Sequence, residues 1–144
     1  MATLGEFARR MRRRGKQVDD NVNLTVRRVG LVATQTLVTN TPVDTGRARS
    51  NWQVGIDNSV AGAREAVAPG KGLGIGEGAN AGDAIAAAEQ VISTRKSPQS
   101  IHITNNLSYI RKLNEGHSAQ APAGFVQRAV QLAANTVRNA RVLR

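Results

Sequence analysis

Apolar residues recur at helical spacing over the first part of the chain. Val18, Val22, Val26, Val29, Ala33 and Leu37 follow one another by three or four, which places them on one face of a 3.6-residue helix. The predicted element runs from Leu4 to about Leu37. Its β-branched residues lower intrinsic helix propensity, so it needs tertiary packing to persist. Leu4, Phe7, Ala8 and Met11 begin the same stripe, but the next in-phase positions are Arg14 and Gly15, and the stripe breaks there. Residues 1–16 are therefore expected to be a basic helical extension projecting beyond the core. Pro42 pushes Thr41 out of the α region, and Asp44 with Gly46 supplies turn chemistry, so the helix should stop near Thr41. Ala48, Ser50, Trp52, Val54 and Ile56 then alternate with polar or small residues, the period of a strand with one buried face, on which Trp52 is the anchor.

From Asn58 to Gly82 no apolar period survives, and Gly70, Gly72, Gly74, Gly76 and Gly78 are spaced by twos. Glycine maximises the backbone entropy lost on ordering, so residues 61–82 are expected to form a flexible arm. A short helix with Asp83 as its cap should run through Ile85, Ala88 and Val91 to Ile92. Residues 100–104 alternate again as a strand, with His102 on its polar side. Asn105 and Asn106 make a turn, and a short helix follows around Tyr109 to Leu113. The last helix should begin near Pro122, with Val126, Ala129, Val130, Ala133, Val137 and Ala140 as its apolar face. The expected fold class is α+β in a single domain, residues 1–144: a long N-terminal helix, a small antiparallel sheet, a C-terminal helix packed on it and a long Gly-rich arm.

Charge adds a partner of opposite sign to this picture. The chain has 20 Lys and Arg against 10 Asp and Glu, a formal charge of +10. Six of the bases, Arg9, Arg10, Arg12, Arg13, Arg14 and Lys16, crowd into two helical turns with no acid among them. Such a run repels itself, and an acidic protein surface or DNA would relieve it. There is no Cys, which excludes a disulfide framework and thiolate metal sites. Phe7, Trp52, Tyr109 and Phe125 are all the aromatic residues, too few for single-strand nucleic-acid binding by base stacking. No stretch approaches the length of a membrane span, and no apolar run follows the first arginines, so a soluble protein without a secretion signal or membrane partner is expected.

Candidate catalytic patterns are weak. Asp44-Thr45-Gly46 matches the tripeptide of aspartic proteases, but Pro42 and Arg47 stand where those enzymes have apolar strand residues. Gly74 to Ala79 fits a loose dinucleotide fingerprint without the buried strand that should precede it, and Gly70-Lys71 lacks the Ser or Thr of a P-loop. His102 and His117 have no second ligand at metal spacing. No local motif marks a Ser-His-Asp arrangement, although triads assemble from distant positions. The expectation is a protein that is not an enzyme and holds no cofactor or metal.

Two stretches look like one known family. Thr41-Pro42-Val43-Asp44-Thr45-Gly46-Arg47-Ala48-Arg49-Ser50-Asn51-Trp52 resembles the first signature of phage tail-completion proteins, minor neck components of siphophages and their relatives. Asn105-Asn106-Leu107-Ser108-Tyr109-Ile110, then Leu113-Asn114-Glu115-Gly116-His117-Ser118, then Pro122-Ala123-Gly124-Phe125-Val126 resembles the second. The resemblance implies structural roles for Pro42, Asp44, Thr45, Gly46, Trp52, Asn105, Tyr109, Glu115, Gly116, His117 and Pro122. It implies a subunit that forms a ring with copies of itself, commonly a hexamer, between head-closure or adaptor proteins and the tail tube or terminator. Such a protein would assemble in the bacterial host cytoplasm and end in the virion, with possible non-specific contact with packaged DNA. A tail terminator or another minor tail ring protein is the alternative within this class. A basic DNA-binding protein is the alternative outside it, but no reader motif such as a helix-turn-helix is recognisable. The basic extension and the Gly-rich stretch lie outside the resemblance.

Overall fold

A computed structural model describes residues 1–42, 46–68, 77–119 and 122–140. The first element, α1 (Leu4–Asn40), is a single helix of 37 residues, roughly 55 Å long. A capping box opens it: Thr3 Oγ1 accepts from the Glu6 amide at 3.2 Å, and Glu6 Oε2 accepts from the Thr3 amide at 2.7 Å. Through residue 17 every side chain but Ala8 is exposed.

A helical turn, α2 (Arg47–Ser50), follows Gly46, and only then the strand β1 (Gln53–Ile56). The expected strand from Ala48 is thus corrected over its first half. Gly46 takes a left-handed φ of 78°, and its carbonyl accepts the Ser50 amide, which closes a helical turn. Residues 48–52 are all buried, polar and apolar alike, so the alternation read from the sequence does not mark a single dry face here. β1 pairs antiparallel with β2 (Ile101–Thr104), with Val54 opposite Ile103.

Between the strands runs α3 (Glu77–Ser93), which starts six residues ahead of the expected cap. Asp83 lies inside it and accepts from Arg64 at 2.8 Å. Alanine at 79, 81, 84, 86, 87 and 88 favours the helix, and burial of Asn80 and Ala84 offsets the cost of Gly78 and Gly82. The last six residues of the expected arm are therefore helical. Residues 61–68 are irregular, and the intervening glycines at 70, 72, 74 and 76 lie outside the described residues.

After β2 come α4 (Ile110–Asn114) and α5 (Phe125–Arg138). Pro122 is exposed and precedes α5 by three residues, because Gly124 at φ 82° forms the N-cap and interrupts helical geometry between them. α5 runs back along α1. Phe125 and Ala129 join Leu37, Val38, Trp52 and Ala84 in the main core, while Val137 at the other end lies against Val22, Val26 and Val29. The helix laid against the sheet is α3: Ala88 and Ile92 pack on Val54, with Leu31, Ile101 and Ile103 around them. Gly30 lets α1 approach β2, since a Cβ there would come 2.9 Å from Ile101 Cδ1. Among the described residues no helix is long and apolar enough to cross a membrane.

Candidate functional site

The first signature segment folds into a buried polar hub. α1 has no base in its last turn, so its terminal carbonyls need donors from elsewhere. Arg49 supplies them. Its Nε donates to Thr41 O at 2.8 Å and its Nη2 to Thr39 O at 3.1 Å, a cation at the negative end of the helix dipole. Thr41 Oγ1 donates to Leu37 O and accepts from Trp52 Nε1 at 2.8 Å, which satisfies the indole inside the core.

Two asparagines extend the hub. Asn80, fully buried on α3, accepts from Ser50 Oγ at 2.9 Å and from the Ala68 amide at 3.0 Å, and donates to Ala68 O at 2.8 Å. Asn51, equally buried, accepts from the Arg64 amide and donates to the carbonyls of Arg47 and Arg64. The segment 62–68 is thereby held to the hub by paired backbone and amide hydrogen bonds, with Gln53 and Asn106 both donating to Gly62 O. Gly46 sits against Asn80, where a Cβ would come 2.2 Å from Nδ2.

The second signature segment meets the first here. Asn105 Nδ2 donates to Ala48 O at 2.9 Å, 57 residues away in sequence, while its Oδ1 accepts from the Leu107 amide and shapes the expected turn. Tyr109 occupies the N-cap position of α4. Gly116, at φ 96°, turns the chain toward Ala123, and His117 Nδ1 lies 3.0 Å from Lys112 O, a contact in which the ring nitrogen donates. Glu115 is exposed. Asn114 fastens α4 to α5: its carbonyl accepts the Gly124 amide, and its Oδ1 accepts the Val126 amide at 2.9 Å. Asp44 and Thr45 lie outside the described residues, as do Gly74 and Gly76 of the dinucleotide-like pattern.

Sequence reasoning passed over Asn80, Asn51, Arg49 and a second polar lock at the far end of α3. There Arg95, 4 % exposed, donates to Asn23 Oδ1 at 2.6 Å and Gln99 O at 2.8 Å, while Arg27 donates to the Arg95 carbonyl. A buried guanidinium held by neutral acceptors joins α1 to the turn before β2. The spacing of these residues carries no signal, because the partners are mostly backbone groups, with the neutral side chains of Ser50 and Asn23, that only the fold brings near.

The structure also brings Ser100, His102 and Asp57 together. Ser100 Oγ lies 3.0 Å from His102 Nε2 and 3.5 Å from Asp57 Oδ1. The carboxylate touches the hydroxyl and not the imidazole, so Asp57 does not orient the histidine as in a Ser-His-Asp triad. Asp57 instead accepts the Ser100 amide at 3.0 Å and donates its own amide to Ser100 O, which locks the open end of the sheet. Among the described residues no group of acids and histidines could hold a metal ion.

On the basic extension the structure separates Lys16 from the five arginines. Lys16 Nζ lies 2.8 Å from Asp20 Oδ2, and that hydrogen bond raises its pKa above the usual lysine value. Among the described residues no carboxylate pairs with Arg9, Arg10, Arg12, Arg13 or Arg14. No family model, curated protein or solved structure matches the chain.

Proposed function

We propose that the chain is a structural subunit of the neck of a tailed bacteriophage. It forms a ring with copies of itself, commonly a hexamer among proteins of this kind. The ring joins a head-closure or adaptor protein on one side to the tail tube or terminator on the other. Its work is adhesion without turnover, its place is the virion, and it assembles in the bacterial host cytoplasm. The observation that carries this reading is the convergence of the two signature segments on one hub, through Asn105 and the Ala48 carbonyl, with Gly46 and Trp52 at its centre. Segments that resemble one family separately and also support each other in space make chance resemblance of either less plausible. Particles assembled without the protein should yield DNA-filled heads and complete tails that stay unattached; attached particles at normal yield would refute the reading.

DNA binding is the second reading, favoured by the five exposed arginines. Phosphate contacts by those five should make affinity for bare duplex fall with salt at a logarithmic slope of about −4 to −5. A flat salt dependence would dismiss it.

A further inference from the structure

The basic extension also carries an apolar stripe. Leu4 is 84 % exposed, Phe7 55 % and Met11 52 %, and with Ala8 they occupy positions i, i+3, i+4 and i+7 of a helix that is already formed. That is the anchor spacing of a helix laid against another apolar surface. At about 100° per residue these four fall within an arc of about 100°. Val22, Val26 and Val29 fall within the same arc, and they are the residues that line the cleft of about 260 Å³ beside Val137 of α5. The exposed stripe is thus the continuation of the face that α5 covers, beyond the point where α5 ends.

The arginines surround this stripe unevenly. Arg12 lies just past one edge of the arc and Arg14 just past the other, while Arg9 and Arg13 lie on the opposite side of the helix. Arg9 with Arg13, Arg10 with Arg14 and Arg12 with Lys16 are like-charge pairs at i,i+4, which destabilise a free helix. Carboxylates brought by a partner relieve them.

We propose that the first four turns of α1 dock a helix of an acidic partner protein along Leu4, Phe7 and Met11, in line with α5, with carboxylates on both flanks of that helix meeting Arg12 and Arg14. DNA would use the arginines and leave the stripe in water. A flat membrane fits poorly, because α5 stands about 10 Å proud of α1 on the same side and holds a plane away from the stripe. A second copy of this chain is disfavoured by charge: α5 has no acidic residue, and the whole chain is +10. The surface belongs to the helix alone and does not depend on the head–tail assignment.

The probe is a synthetic peptide of three heptads with Leu at a and d and Glu at e and g, which the full-length protein should bind at low salt while ignoring the same composition scrambled. Phe7→Gln with Met11→Gln should weaken binding about tenfold or more, with helix content and unfolding midpoint unchanged. Arg12→Gln with Arg14→Gln should weaken it about tenfold, and Arg9→Gln with Arg13→Gln, an equal change of charge, by less than about threefold. Equal losses in the two arginine pairs would reduce the surface to a cation cluster and overturn the proposal. So would retention of binding by the Phe7/Met11 variant, or tighter binding of duplex DNA or phosphatidylglycerol vesicles than of the peptide.

Discussion

Two glycines with the same backbone conformation separate strain from crowding. Gly46 and Gly62 both lie in the left-handed region, at φ 78° and 85°. A Cβ at Gly62 would meet nothing within 4 Å, whereas one at Gly46 would run into Asn80. Gly62→Ala should therefore cost only the conformational strain, about 1–2 kcal/mol. Gly46→Ala should cost about 3 kcal/mol or more, because Asn80 must also give up hydrogen bonds that nothing else in a buried site replaces. Urea unfolding of the two variants measures the difference; equal losses would mean that Asn80 can move aside. Trp52 holds the same hub from the other side. Trp52→Ala should cost about 3–5 kcal/mol from lost burial and the cavity left behind, with Thr41 Oγ1 losing its donor as well. A loss under about 1 kcal/mol would place the indole outside the core that determines stability.

Hydrophobic period identified the elements that are long or have one dry face, and failed where polar contacts decide. The extent of α1, both strands at their paired residues and the apolar face of α5 follow from positions such as Val22, Val54, Ile103 and Ala129, because burial imposes its own spacing. The turn α2 did not follow, since Ala48 and Ser50 fit the strand period in sequence, whereas in the fold residues 48–52 are all buried and Gly46 opens a helical turn. The early start of α3 was hidden for a different reason. Gly78-Ala79-Asn80-Ala81-Gly82 reads as flexible until Asn80 is known to be enclosed, and its partners, Ser50 and the Ala68 backbone, are remote in sequence. The capping box at Thr3 and Glu6 went unread, although Thr-x-x-Glu before a helical stripe is a local signal. Of the candidate site, the arginine run was plain from charge, while Asn51, Asn80 and Arg95 were not, because backbone and neutral side-chain partners remote in sequence leave no trace in composition. Asn80→Ala should accordingly cost about 3 kcal/mol and speed amide exchange at Ala68. Deletion of residues 1–16, which bury almost nothing, should change stability by under about 1 kcal/mol.

At the scale of the molecule, stability and charge are separated along one rod. The hub, the sheet and α5 gather at the C-terminal half of α1, and the exposed arginines of residues 9–14 stand at the opposite end, away from the described core. A surface built this way can be altered without unfolding the body, which makes its role in assembly directly measurable. Replacing Arg12, Arg13 and Arg14 with Glu reverses three charges that contact no described acid and removes no buried side chain. The isolated variant should keep the unfolding midpoint of the wild type to within about 1 kcal/mol, since exposed substitutions away from caps and cores rarely do more. If the rod is what engages the next component of the neck, the variant should still form its own ring through the body. Full heads and complete tails should then accumulate unattached, because like charges set against an acidic partner cost several kcal/mol at the contact. Electron microscopy of the resulting particles, with the mass of the purified ring as the control for self-assembly, distinguishes the outcomes. Normal attachment by the reversed variant would show that the arginines are a solvated helix face, and that whatever the body binds, the rod does not take part.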